Sequence, residues 1–228
     1  QMSIPAQFIM AALAFTLGML WTCITIQEKS STQVESSGEE NSDESAQKVS
    51  FWQSLKEFFE LSPEVGKICV MQFFTWIGTM CMMIFFTQYA VHTIYCVPDL
   101  TTVDGISAKL YENATLNGTN FSSVCFAIFN LVCFLVAIPI GILSAKFGNK
   151  KVHIISIISM VFAYLGMAFS HNLYVVAGLM GLAGIGWASI CALPFAMLSQ
   201  YIKPGTEGSV MGIFNIFIAG PQVFVCTV

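Results

Sequence analysis

Gln72, Trp76 and Thr79 stand at i, i+4 and i+7 within an apolar run that carries no charge, so on a helix they share one face. An amide bonds several hydroxyls and an indole stacks on the C–H face of a sugar ring, which is chemistry for holding a polyhydroxylated solute. The same spacing also suits helix packing, with Gln72 as an interhelical hydrogen-bonding group and Trp76 as core or interface filler. Asn130 is a further amide inside an apolar run. The apolar runs hold no nucleophile–base set, no paired acids and no metal-ligand spacing, so neither an enzyme nor a metal or cofactor site is expected. Arginine is missing altogether, which removes an arginine clamp for phosphate or carboxylate.

These residues need a bundle to hold them, and the composition says where that bundle lies. The chain has 228 residues, 56% hydrophobic and 10% charged, with a mean hydropathy of +0.74. Soluble domains carry about a quarter charged residues. The expected class is therefore an all-α polytopic membrane protein with the lipid bilayer as its solvent. The net charge of −4 comes largely from one acidic stretch, and the basic residues cluster only at Lys146, Lys150 and Lys151. Nucleic acid is not an expected partner.

About six crossings follow. The first is Ile4 to Ile26, so residues 1–26 form a transmembrane helix; no basic residue precedes it, and it is too long for a signal peptide. Residues 27–49 are rich in Ser, Glu and Gln, with Glu39, Glu40, Asp43 and Glu44 together, the composition of a disordered linker. A short amphipathic helix follows, its apolar face made by Phe51, Trp52, Leu55, Phe58, Phe59 and Leu61, and Pro63 ends it. It suits the membrane interface or the underside of the bundle, and with the linker it fills 27–67. The bundle itself is 68–228. Its crossings lie in Ile68 to Val97, from about Val124 to Ser144, from Val152 to Phe169 on a lipid-facing helix, in a glycine-rich run after Asn172, and from near Ser209 onward.

Gly178, Gly181, Gly184, Gly186 and Pro194 crowd the glycine-rich run. Small residues and a proline at membrane depth mark either close helix packing or an interrupted helix at a transporter's binding region. Most cysteines fall in apolar runs and read as small buried hydrophobes, while Cys96 and Cys125 flank one polar loop and could pair. That loop, 98–122, holds three glycosylation sequons at Asn113, Asn117 and Asn120. Alternating six crossings puts Lys29, Lys48, Lys56, Lys67, Lys146, Lys150, Lys151 and Lys203 on one face, against Lys109 and all three sequons on the other. This asymmetry places the linker in the cytoplasm and the 98–122 loop outside or in a lumen.

The run Gly186-Trp187-Ala188, Pro194-Phe195-Ala196, Ser199 resembles the tenth helix of the glycoside–pentoside–hexuronide cation symporters, to which sucrose-type proton-coupled sugar transporters belong. Gly208, Met211-Gly212, Asn215 and Pro221-Gln222 look like that family's next loop and eleventh helix, and Phe73-Phe74-Thr75-Trp76-Ile77-Gly78 like the start of its seventh. The stretch Gly141 to Lys151, with Lys146, Gly148, Lys150 and Lys151, resembles the elbow between the eighth and ninth helices of the major facilitator superfamily, except that Ala145 occupies the usual acidic slot. The resemblance implies twelve helices in two halves, with this chain as most of the C-terminal half and an N-terminal half elsewhere in the same protein. It implies alternating-access transport of a sugar, with a proton as coupling ion and Gln72, Trp76, Asn130, Trp187, Asn215 and Gln222 facing the sugar or gating it. An intramembrane carboxylate normally couples a proton. None lies in these crossings, so the coupling residues are expected outside this chain, unless the protein is a uniporter; a transporter for another small organic solute and a non-transporting membrane sensor are the other readings.

Overall fold

The computed structural model describes Leu13, Thr16, Leu17 and Leu20 and residues 51–60, 62–97, 108–202 and 206–227. The chain divides into two units, 1–48 and 49–228. In the first, the four described residues are helical. Most of the expected crossing at 4–26, the linker at 27–49 and residues 98–107 lie outside the described residues.

Among the described residues, the regular structure of the second unit is all helical. Its helices are α1 (Phe51–Glu60), α2 (Pro63–Tyr89), α3 (Ala108–Phe147), α4 (Asn149–Phe169), α5 (Leu173–Leu198) and α6 (Glu207–Thr227). Among the described residues, five helices are long and apolar enough to cross a membrane, α2 together with its extension through Ile94, and α3 to α6. Their outward faces are apolar: Phe134 and Ile138 on α3 are 76% and 75% exposed, which is tolerable against lipid and costly against water.

Capping sets the start of α2. Ser62 is extended and accepts from the Glu64 N–H, and Pro63 takes the first helical position, where its missing N–H costs nothing. Pro63 thus opens α2 rather than merely closing α1, and the helix begins five residues before the expected bundle boundary at 68. At its far end α2 widens into a π-helical turn, Ala90–Ile94, where exposed His92 holds the Val97 carbonyl through Nδ1 at 2.8 Å. α1 packs beneath the bundle, one of its two expected placements: Phe58 is 1% exposed among Val65, Ile68, Cys69, Val210 and Phe214 of α2 and α6.

α3 departs most from expectation. It runs for 40 residues, so the expected loop is helical from Ala108 onward. Such a helix is about 60 Å long, roughly twice the hydrocarbon thickness. The segment Ala108 to Asn120 contains Ala, Leu, Glu and Lys and no proline, and tertiary contact carries it. Gly118 is pressed so close to Val91 that a Cβ there would lie 2.8 Å from the Val91 Cα. Ser122 and Thr87 hydroxyls meet at 2.8 Å across the same seam. The three sequon asparagines are exposed on this helix. Cys96 and Cys125 are both free thiols: Cys125 points into the core beside Phe129 and Met160, away from exposed Cys96.

Gly148 turns α3 into α4. Its φ of 91° is a backbone conformation that a Cβ would strain, so the elbow glycine is a conformational requirement. Gly141, grouped with it in the sequence, lies instead inside α3. Ser170, His171 and Asn172 join α4 to α5, and Asn172 caps α5 by accepting from the Tyr174 and Val175 N–H groups. α4 and α5 therefore form the expected tight antiparallel pair. α4 is only partly lipid-facing, because Val152, His153, Ser156, Met160, Ala163 and Met167 form a buried stripe.

Candidate functional site

The site is best built outward from α5, the most enclosed of the crossings. Its glycines let it approach its neighbours. At Gly184 an added Cβ would strike the Phe129 carbonyl oxygen of α3, and at Gly186 it would lie 2.6 Å from the Met160 Cβ of α4. Of the two readings of this run, close packing accounts for both positions. Gly178 has nothing near it and shares no such role.

Gly186 brings Trp187 to the bundle interior. The Trp187 ring meets Trp76 of α2 edge-on at 5.4 Å and lies 6.1 Å from Phe129 of α3. Three helices thus supply one aromatic wall. One turn before Trp76 on α2, Gln72 is fully buried, and neither its Nε2 nor its Oε1 has a hydrogen-bond partner. Trp76 Nε1 is likewise buried and unpaired. Three orphaned polar atoms within one turn are conspicuous, since buried polar atoms in native folds almost always find partners. The Thr79 hydroxyl, by contrast, is spent on the Thr75 carbonyl at 2.8 Å.

The other candidates are placed differently. Asn130 is exposed and its Nδ2 donates to the Phe126 carbonyl of its own helix at 2.8 Å. It stands one residue past Phe129 and so faces away from the aromatic wall. Asn215 is exposed and Gln222 half-buried on α6. That helix packs on α2 through Val210, Ile213 and Phe214 near the α2 N-terminus. The structure therefore joins Trp76 to Trp187, with Gln72 one turn before Trp76 on α2, and leaves Asn130, Asn215 and Gln222 outside that contact.

Two of the cavities among the described residues bear on this region. One of about 240 Å³ lies between α2, α4 and α5, lined by Thr75, Thr79, Tyr164 and Ile190 among others; Gln72, Trp76 and Trp187 are not in its wall. The Tyr164 hydroxyl reaches this cavity's edge beside Thr79 and makes no hydrogen bond of normal geometry. The larger, of about 570 Å³, opens at the elbow, where Lys67, Lys150 and Lys151 surround an apolar floor that includes Ile68 and Met197. Glu64 pairs with Lys67 at 2.7 Å on its rim. Lys146 Nζ lies 5.3 Å over the ring of Phe147, a residue of this cavity's wall.

Beyond the Thr87–Ser122 contact, reading the sequence alone overlooked two more interhelical polar links. Tyr89 Oη reaches the Met167 and Ser170 carbonyls, each at 2.7 Å, tying α2 to the end of α4. His153 of α4 and Ser189 of α5 form a buried pair, Nδ1 to Oγ at 2.7 Å. The Val152–Ser156–Met160–Ala163–Met167 spacing was the available signal for the inward face of α4.

Comparison with known proteins gives one broad match and one narrow one. A family model described as Major Facilitator Superfamily matches residues 3–225. An uncharacterized MFS-type transporter, YybF, of Bacillus subtilis (strain 168) is 24% identical over 121 residues, which are 53% of this chain and 28% of that protein's length. No solved structure matches.

Proposed function

The chain belongs to the major facilitator superfamily, and from that premise we propose that it is part of a secondary transporter that moves a sugar together with a proton by alternating access. Transport, rather than catalysis, is what the family and the membrane-crossing helices support. The sugar reading rests on Gln72: a fully buried amide with both polar atoms unpaired, one turn from an unpaired indole N–H. Amide and indole N–H can serve ring hydroxyls, while the Trp76–Trp187 rings offer faces for the sugar's C–H groups. Such a site is held closed here by the contacts of α2 with α5 and would open as the two halves of a transporter rock. In this reading the lysine-rich elbow faces the cytoplasm, and the helical sequon segment faces the exterior or a lumen, where it is glycosylated.

The test is uptake of labelled sucrose, maltose and glucose by cells expressing the full-length protein, with and without an imposed proton gradient. Accumulation that collapses with the gradient is the expected result. Uptake without accumulation would make it a uniporter, and no uptake by protein present at the surface would overturn the sugar reading.

A further inference from the structure

His153 is 2% exposed, although it lies only four residues, about 6 Å of helix rise, past Asn149 at the lysine-bearing elbow. Its Nδ1 is 2.7 Å from Ser189 Oγ, and Ser189 is itself fully buried. Its Nε2 is also buried and meets no partner. A pin between α4 and α5 needs only one polar atom on each side, and a serine would supply it without a second nitrogen. The imidazole brings a donor–acceptor site sealed from protein and water alike, against the general rule for buried polar atoms. A second arrangement of the seam that gives Nε2 a partner removes the anomaly.

The surroundings decide what that partner is. Opposite His153, α5 carries no Asp, Glu, Lys, Arg or His along its whole length. α3 contributes Cys133, Val136 and Ile140 to the packing beside the pair, and its charged residues, Lys109, Glu112 and Lys146, lie toward its ends. α2, which reaches α4 through Tyr89, has no charged side chain between Lys67 and His92. On α4 itself, Lys150 and Lys151 sit a turn nearer the elbow, and buried Ser156 a turn further in. An imidazolium in the closed seam would have one hydroxyl partner and no counter-ion, so the closed seam holds the neutral ring.

We propose that His153 is a pH-sensing site of the α4–α5 seam: Nε2 takes a proton from water at the elbow when the seam opens toward it and returns that proton to the same water as the seam closes, so acid on the elbow side favours the open seam. Protonation leaves Nδ1–H to donate to Ser189 Oγ while Nε2–H donates to water. Ser189 follows Trp187 by two residues on a continuous helix, so any shift of α5 at the Trp76–Trp187 contact is transmitted to the histidine's partner. One element whose position both sites bias is the physical requirement for coupling. The inference rests on the transporter reading above, and the proton that His153 exchanges on the elbow side is separate from any proton that crosses with the solute.

Ring-¹⁵N histidine NMR of the full-length protein in phosphatidylcholine nanodiscs tests this without relying on transport. His153→Gln identifies the resonance, with His153→Asn as the second variant should the first not fold. The expected result is a resonance that passes from neutral to imidazolium between about pH 5 and 8, with a titration that moves in Ser189→Ala. A ring that keeps one protonation state throughout, with and without sucrose, overturns the inference. In a parallel arm at fixed external pH, sucrose uptake into cells whose cytosolic pH is clamped low and then high is expected to differ several-fold, and that ratio to fall to about 1 in His153→Gln at equal surface amount. A titrating ring without any sucrose uptake keeps the proton site and removes the sugar reading. Uptake whose pH dependence survives His153→Gln removes the proton site and keeps the transporter.

Discussion

Replacing Gln72 by Met separates a binding residue from a packing residue, because the two roles predict opposite signs for stability. Methionine has similar volume and an unbranched, adaptable chain, so the buried shape is preserved. What disappears is an amide whose Nε2 and Oε1 are both buried without partners. An unsatisfied buried polar group costs about 1–3 kcal/mol. Within a bilayer the unfolded helices also find partners, which reduces such terms toward the roughly 0.6 kcal/mol averaged by interhelical hydrogen bonds. Gln72→Met is therefore expected to stabilise the full-length protein by about 1–2 kcal/mol, raising its thermal unfolding midpoint in detergent. If the amide serves a sugar hydroxyl, uptake should suffer at the same time. Loss of one neutral hydrogen bond of about 0.5–1.5 kcal/mol corresponds to a drop of roughly 2- to 10-fold in apparent affinity. A lower midpoint with unchanged uptake would refute this reasoning and identify Gln72 as a packing group hydrogen-bonded in the working protein.

Three further outcomes are expected. Trp76→Phe keeps an aromatic edge toward Trp187 but removes the unpaired indole N–H, so sugar uptake should fall at unchanged surface amount; unaltered uptake kinetics would take Trp76 out of the site. Gly184→Ala should destabilise by about 1–3 kcal/mol, since its Cβ has only the Phe129 carbonyl and the α3 backbone to meet, whereas Gly178→Ala faces open space and should not lower the unfolding midpoint. Asn113, Asn117 and Asn120 lie within about 10 Å along one exposed helical face, so deglycosylation followed by gel mobility of single Asn→Gln variants should show fewer than three glycans at once.

The elbow shows how far the sequence reaches. The motif ending in Gly148, Lys150 and Lys151 pointed to a tight turn between two antiparallel crossings, and Gly148 with its φ of 91° is that turn. A local conformational demand leaves a local mark. The sequon segment shows the reverse. Its polar residues read as a loop because solvent-exposed helix and loop share a composition, and the contacts with Val91 and Thr87 that keep it helical come from a distant part of the chain. The site divides in the same way. Gln72 and Trp76 were legible because their spacing lies along one helix. Their contact with Trp187 joins residues more than a hundred positions apart, and the exposure of Asn130 and Asn215 depends on which helix covers which face.

By itself the sequence determined that this is an apolar helical chain for a membrane, and it offered the amides and indoles that could meet a sugar. Those properties follow from hydrophobic period and length, which act along one helix at a time. Only the tertiary structure decided that Gln72 is sealed without partners, that Gly184 and Gly186 serve packing, and that His153 meets Ser189. Each of these depends on the approach of two helices, and small residues permit an approach without naming the partner.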